Sequence, residues 1–122
     1  MTRDEEFTRV FGALKKLVRP LAKRMTVLAD TPDKFILEGG YSEEHKKKIW
    51  FGGVQRGKAY VRYHLIAVYA FPDLLKDLSP KLRARMQGKS CFNFTKHDPA
   101  LFREVGVLTK RSFERFRKAK WV

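Results

Sequence analysis

Cysteine, acidic residues and long apolar runs are all scarce in this sequence. Its one cysteine, Cys91, has no partner for an intramolecular disulfide, so the fold rests on packing and a reducing, cytoplasmic setting is expected. No apolar stretch approaches the ~20 residues of a membrane span. The opening MTRDEEF is acidic where a secretory signal would be basic and then apolar, so no membrane partner is expected. His45, His64 and His97 are too scattered to form a metal-ligand pattern, and neither metal nor cofactor is assigned. No Ser-His-Asp or Cys-His-Asn arrangement can be read from spacing. No catalytic residue is therefore assigned, and a binding role is favoured over an enzyme.

What the chain does have is apolar and basic. Its 122 residues suffice for one domain with one core, and a 43% hydrophobic content is that of a globular chain. Lys and Arg number 27 against 13 Asp and Glu, a formal charge of +14. The surplus is clustered. His45 to Pro72 holds no acidic residue but carries Lys46, Lys47, Lys48, Arg56, Lys58 and Arg62, and Leu78 to His97 is equally free of acids. Such a field draws anions towards the surface, and it also serves simply to keep a protein soluble.

Periodicity places the elements. Phe7, Val10, Phe11, Leu14, Leu17, Val18 and Leu21 recur at intervals of three and four, so Thr2–Arg19 is predicted as a helix with a Thr2–Glu5 capping box, ending at Pro20. The period then changes to two over Lys34–Glu38, Lys48–Val54 and Lys58–Tyr69, with QRGK as a hairpin turn between the last two. Short helices are predicted at Pro72–Asp77 and Pro80–Met86, the second capped by Ser79, and then a strand at Cys91–Phe94. Asp98-Pro99 opens a C-terminal helical region that Gly106 and Thr109 are expected to break in two, with the second helix reaching about Lys118. The order predicts an α+β two-layer sandwich: helices on one face of a mainly antiparallel sheet of about four to five strands.

The tripeptide Gly88-Lys89-Ser90 is the tail of a phosphate-binding loop, but Arg83 stands where that loop needs its first glycine, and a helix precedes it where a strand should. Gly88 is read instead as the left-handed residue that stops the Pro80–Met86 helix.

Alternation puts Ala59, Val61, Tyr63, Leu65 and Ala67 on one sheet face, with Ile49 and Phe51, beneath the helices. The opposite phase holds Lys58, Tyr60, Arg62, His64 and Ile66, with Lys48, Trp50 and Gly52 on the neighbouring strand. Aromatic rings stack and guanidinium groups fork onto anions, so this free face is the candidate binding surface. Trp50, Lys58, Tyr60, Arg62, His64, Lys89 and Asn93 are its candidate ligand-binding residues. The same residues also suit an ordinary sheet face with basic stems lying over aromatics. The C-terminal TKRSFERFRKAKWV interleaves cations with Phe113, Phe116 and Trp121, a pattern fit for phosphate contact and equally for a core-packed helix with a basic outer face.

YVRYHLIAVYAFP (Tyr60–Pro72) and GKSCFNF (Gly88–Phe94), followed by a helical tail, resemble the YdhG-like family of small uncharacterised bacterial domains, which are distantly similar to frataxins. The family's second proline-marked turn is replaced here by His97-Asp98-Pro99. Likeness to frataxins implies iron handling through an acidic ridge on the first helix. Here that helix offers Asp4, Glu5 and Glu6 against seven basic residues by Arg24, so the implied ligands are missing. The expected function is a binding or interaction module for an anionic small molecule or a partner; the alternative is non-specific nucleic-acid binding. A metal-handling protein or small enzyme is a weaker reading, and the oligomeric state is left open, a dimer included.

Overall fold

A computed structural model describes all residues, Met1–Val122. Helix α1 (Arg3–Val18) starts at a complete capping box between Thr2 and Glu5, with Asp4, Glu5 and Glu6 in its first turn. A 3₁₀ segment, Arg19–Arg24, carries the chain past Pro20 into the sheet. The sheet is wholly antiparallel, six strands in the order β1-β2-β3-β4-β6-β5. Its strands are β1 (Thr26–Thr31), β2 (Lys34–Ser42), β3 (Lys47–Arg56), β4 (Val61–Leu65), β5 (Met86–Gln87) and β6 (Cys91–Phe94). Short helices α2 (Ile66–Ala70) and α3 (Pro80–Arg83) lie between β4 and β5, and α4 (Pro99–Lys118) closes the chain. This is the expected α+β sandwich, with α1 and α4 on one face of the sheet.

The core lies between the layers. Phe7, Val10, Phe11, Leu14 and Val18 of α1 and Leu101, Phe102, Val105, Leu108 and Phe116 of α4 meet the inward residues of β2, β3, β4 and β6. Each such large side chain, fully buried, contributes about 1.5–3 kcal/mol. One polar pair is built into this core: the buried Tyr63 hydroxyl lies 2.7 Å from Thr109 Oγ1, and Thr109 in turn donates to the Val105 carbonyl. Burial holds the Tyr63 phenol far above its ordinary range, so it stays neutral.

Several expectations are corrected. β1 and the two-residue β5 were not foreseen; TVLADT is an edge strand exposed at every position but Ala29, so it carries no inside-outside alternation, and Met86–Gln87 is too short for any periodicity. α4 does not break: Gly106 lies inside it, where the position of a Cβ would be 3.3 Å from Leu17 Cδ2 of α1. The glycine marks close helix packing and not a stop. Gly88 does adopt positive φ (+75°), but in the turn joining β5 to β6 and not at a helix end. The Ser79 and Asp98 caps form as expected, and Ser79 is further held by Glu104.

β4 is also shorter than the predicted Lys58–Tyr69. Lys58, Ala59 and Tyr60 sit in the preceding loop, and Ile66–Ala70 coil into α2. β-Branched residues in IAVYA gave it a strand-like look, but β6 begins opposite His64, so no ladder partner exists beyond Leu65 on that side. Ala67 and Ala70 accept the helical alternative readily.

β3 departs from strict alternation. Leu37 pairs with Gly52 but Glu38 with Trp50, so Phe51 is an extra residue on β3. The bulge shifts the phase: Ile49 and Phe51 point inward, and so does Val54, opposite Phe35 and Tyr63. Gly52, expected on the free face, lies instead opposite the buried Leu37 and Leu65, and Gly53 faces His64. Both glycines have φ (+133° and +148°) that side chains rarely adopt, and a Cβ would collide with the His64 or Phe35 carbonyl oxygen. Gly53→Ala is expected to cost more than about 3 kcal/mol or to prevent folding, whereas Gly106→Ala, facing only a movable leucine tip, should stay within about 1 kcal/mol of the parent. Urea unfolding followed by circular dichroism compares them.

Candidate functional site

The place where β4 leaves the sheet is also where a cleft opens. With Gly52 opposite Leu65, the β3 residues before Gly52 have no neighbour on the β4 side. α2 and the chain after α4 wall in this unpaired stretch. The resulting cleft, about 600 Å³, is lined by Ile49 and Trp50 of β3, by Ile66, Tyr69 and Phe71, and by Trp121, among others. That is a size suited to a small ligand. Trp121, 9% exposed, is fixed by aromatic contact with Phe71 and Phe116 and by its carbonyl, which accepts from the Gly40 amide. His45 stands edge-on to Trp121, 5.5 Å between centroids, and is held by the buried Ser42 hydroxyl. Lys47 and Lys48 reach the cleft as cations and Glu44 as its acid. Tyr69, 55% exposed, is the most accessible of its aromatic rings.

Behind Trp50, on the free face of the sheet, lies a second cluster. The Trp50 and His64 rings meet edge-on at 4.4 Å, beside the gap that Gly53 leaves opposite His64. Ser90 Oγ is 2.5 Å from His64 Nε2, and Cys91 Sγ is 3.3 Å from Nδ1. Both ring nitrogens are thus occupied, one donating and one accepting while the ring is neutral. Burial, aided by the Arg62 cation, lowers the His64 pKa to about 4. Burial likewise pushes the Cys91 thiol up, against smaller opposing effects of Arg62 and Ser90, so it stays protonated at neutral pH. A Cys-His-carboxylate constellation would need a His64 nitrogen for the carboxylate, and neither is free.

The candidate residues fall into separate groups. Trp50 joins the cleft to His64, and Lys89 lies 5.6 Å from the ring of Tyr69, at the cleft's edge. Arg62 and Asn93 are cross-strand partners one row further along, and Arg62 rests over Tyr60 at 5.5 Å. Asn93 Oδ1 is shielded from solvent without a hydrogen-bond partner. Lys58 is elsewhere: its carbonyl accepts from Arg3, and it borders a different depression with Asp4, Asp33 and Arg56. The sequence reading did not place Tyr69, Phe71, Trp121 or His45 at a site. Trp121 was noted only within the basic-aromatic tail, Tyr69 and Phe71 were signalled only by the aromatic density of VYAF, and nothing signalled His45.

No family model, curated protein or solved structure matches the chain. The likeness to YdhG-like domains therefore stays one of sequence pattern. No helix is long and apolar enough to cross a membrane.

The His64 environment has a pH consequence. A histidine whose pKa is near 4 when folded and ~6.5 when unfolded adds stability above pH ~6.5, and that stability is lost as the pH falls towards 4. Discounted for the solvent that reaches the ring, the loss is about 1–2 kcal/mol. Urea midpoints at pH 7 and pH 4.5 should therefore converge in His64→Gln relative to the parent. An unchanged difference between the two pH values would contradict this.

Proposed function

We propose that this chain is a non-enzymatic binding module whose aromatic cleft takes a planar, anionic small molecule. The observation that carries the reading is the junction of rings and a cationic surplus at one concavity: Trp50 and Tyr69 on its walls, with Lys47 and Lys48, neither in an ion pair, against the single acid Glu44. Rings supply stacking area at little entropic cost, and the lysines supply charge selection. The rest of the molecule reinforces that selection. With 27 Lys and Arg against 13 Asp and Glu, the chain's net +14 adds a general attraction for anions. Asp4, Asp30, Asp73 and Asp98 are spent in ion pairs with Arg56, Lys15, Arg115 and Lys81, none of which lines the cleft.

Exposed lysines contribute at most about 1 kcal/mol each, and stacking about 1–3 kcal/mol. Together these reach at most about 5 kcal/mol, a dissociation constant of about 0.2 mM or weaker. The flatter Arg62–Asn93 row has no comparable concavity, so the ligand's place moves from the sheet centre to the end of the sheet.

The anionic dye 8-anilinonaphthalene-1-sulfonate tests this. It should bind saturably at one site and quench tryptophan fluorescence. Tyr69→Ala and the Lys47→Ala/Lys48→Ala double variant should each weaken it about threefold to tenfold, with the thermal midpoint nearly unchanged because all three side chains are exposed. Binding that is absent, or equally strong in both variants, sinks the reading.

A further inference from the structure

The cleft does not stand alone. A second concavity, about 340 Å³, runs along α4 and is lined by Leu74, Lys110, Arg111, Glu114, Arg115 and Lys118. The two depressions share a wall. Phe71 lines the cleft, Arg115 lines the groove, and the Arg115 guanidinium lies 4.6 Å from the Phe71 ring centroid. Asp73 fixes that guanidinium through two hydrogen bonds of 2.6 and 2.9 Å, so the dividing wall is held in place. Lys118 in the groove directly precedes Ala119 in the cleft. Aromatic walls thus lead over one stacked pair into a lysine- and arginine-lined track.

The chemistry of the two parts differs in a telling way. The cleft offers mainly rings, with Lys47 and Lys48 set against Glu44 at its edge. The groove offers Lys110 and Lys118 without a carboxylate partner and a weakly held Arg111, 3.9 Å from Asp77, while its one acid, Glu114, is paired with Arg117 and its Arg115 with Asp73. A ligand satisfying both must carry a flat unsaturated group at one end and repeated anionic charge beyond it. An unpaired nucleotide with its neighbouring phosphates has that form: bases stack on aromatic faces irrespective of sequence, and phosphates follow cations. A duplex does not, because its bases are stacked on one another and cannot enter the cleft.

We infer that the cleft and the α4 groove together form a binding track for single-stranded nucleic acid, with one base in the cleft and the following phosphates along Lys118 and Lys110. This rests on the cleft being the ligand site proposed above, and it names the class of that ligand.

Thymidine 5′-monophosphate, oligothymidylate of about eight nucleotides, the matching duplex and polyphosphate of similar charge can be compared by anisotropy and tryptophan quenching. The oligonucleotide should bind at least about tenfold more tightly than the mononucleotide, duplex or polyphosphate, with a log–log salt slope of about −1.5 to −3, as two to four phosphate contacts require. Lys110→Glu/Lys118→Glu should weaken the oligonucleotide about tenfold or more and leave the mononucleotide within about twofold. The charge-matched Lys23→Glu/Lys34→Glu, both exposed, should change the oligonucleotide less than about threefold. Equal losses in the two charge variants, or polyphosphate or duplex binding as tight as the single strand, overturn the track. If the mononucleotide binds and the oligonucleotide gains nothing, the track falls while the cleft reading stands. If the mononucleotide and the sulfonate dye both fail to bind, both readings fall.

Discussion

The bulge in β3 is the constraint on which the rest of the structure depends. One extra residue, Phe51, and two glycines with positive φ let a single strand bury Ile49 and Phe51 on one side of the bulge and Val54 on the other. Without it, strict alternation would turn either Val54 or the Ile49–Phe51 pair out to solvent, forfeiting about 1.5–3 kcal/mol for each large side chain exposed. The bulge also decides who meets His64. Gly53, having no side chain, stands opposite it, and the Trp50 ring occupies the space beside it.

The cleft follows from the end of β4. The strand lasts only as long as it has partners on both sides, and on the β6 side these end with the Leu65 amide donating to the Ser90 carbonyl. Released from the ladder, the chain coils as α2 and carries Ile66, Tyr69 and Phe71 across the unpaired end of β3. The cleft is thus a by-product of unequal strand lengths. Its floor is furnished by Trp121, which Gly39 and Gly40 admit: a Cβ at Gly39 would be 2.5 Å from the Trp121 carbonyl oxygen.

How much of this was legible in the sequence varies with the range of the interaction. α1, its capping box, the Ser79 and Asp98 caps and the antiparallel β3–β4 pair are set by residues close in sequence, and they are where periodicity and capping rules placed them. Residues whose role depends on distant partners were misread. Gly106 has the look of a helix breaker until Leu17 is seen against it, and IAVYA has the look of a strand until its missing neighbour is counted. The candidate site shows the same division. Trp50, His64, Arg62 and Asn93 were correctly phased onto one face, because phase is local. That Trp50 would border a cavity closed by Trp121, 71 positions away by sequence number, depends on the whole fold.

Electrostatics completes the division of labour between the two sides of Trp50. Toward His64 the surroundings remove charge: the imidazole is neutral, the thiol is protonated, and both ring nitrogens are occupied by Ser90 and Cys91. Toward the cleft the same indole neighbours the exposed Lys47 and Lys48. A neutral, hydrogen-bonded backing is what a stacking ring needs, since a protonated imidazole behind it would bring a desolvated charge into the sheet. His64 is thereby a neutral support packed edge-on against Trp50, while the charge at the cleft is carried by the exposed Lys47 and Lys48. Trp50 and His64 are thus held on paired strands by packing and hydrogen bonds, whereas the cations of the cleft lie on the exposed surface.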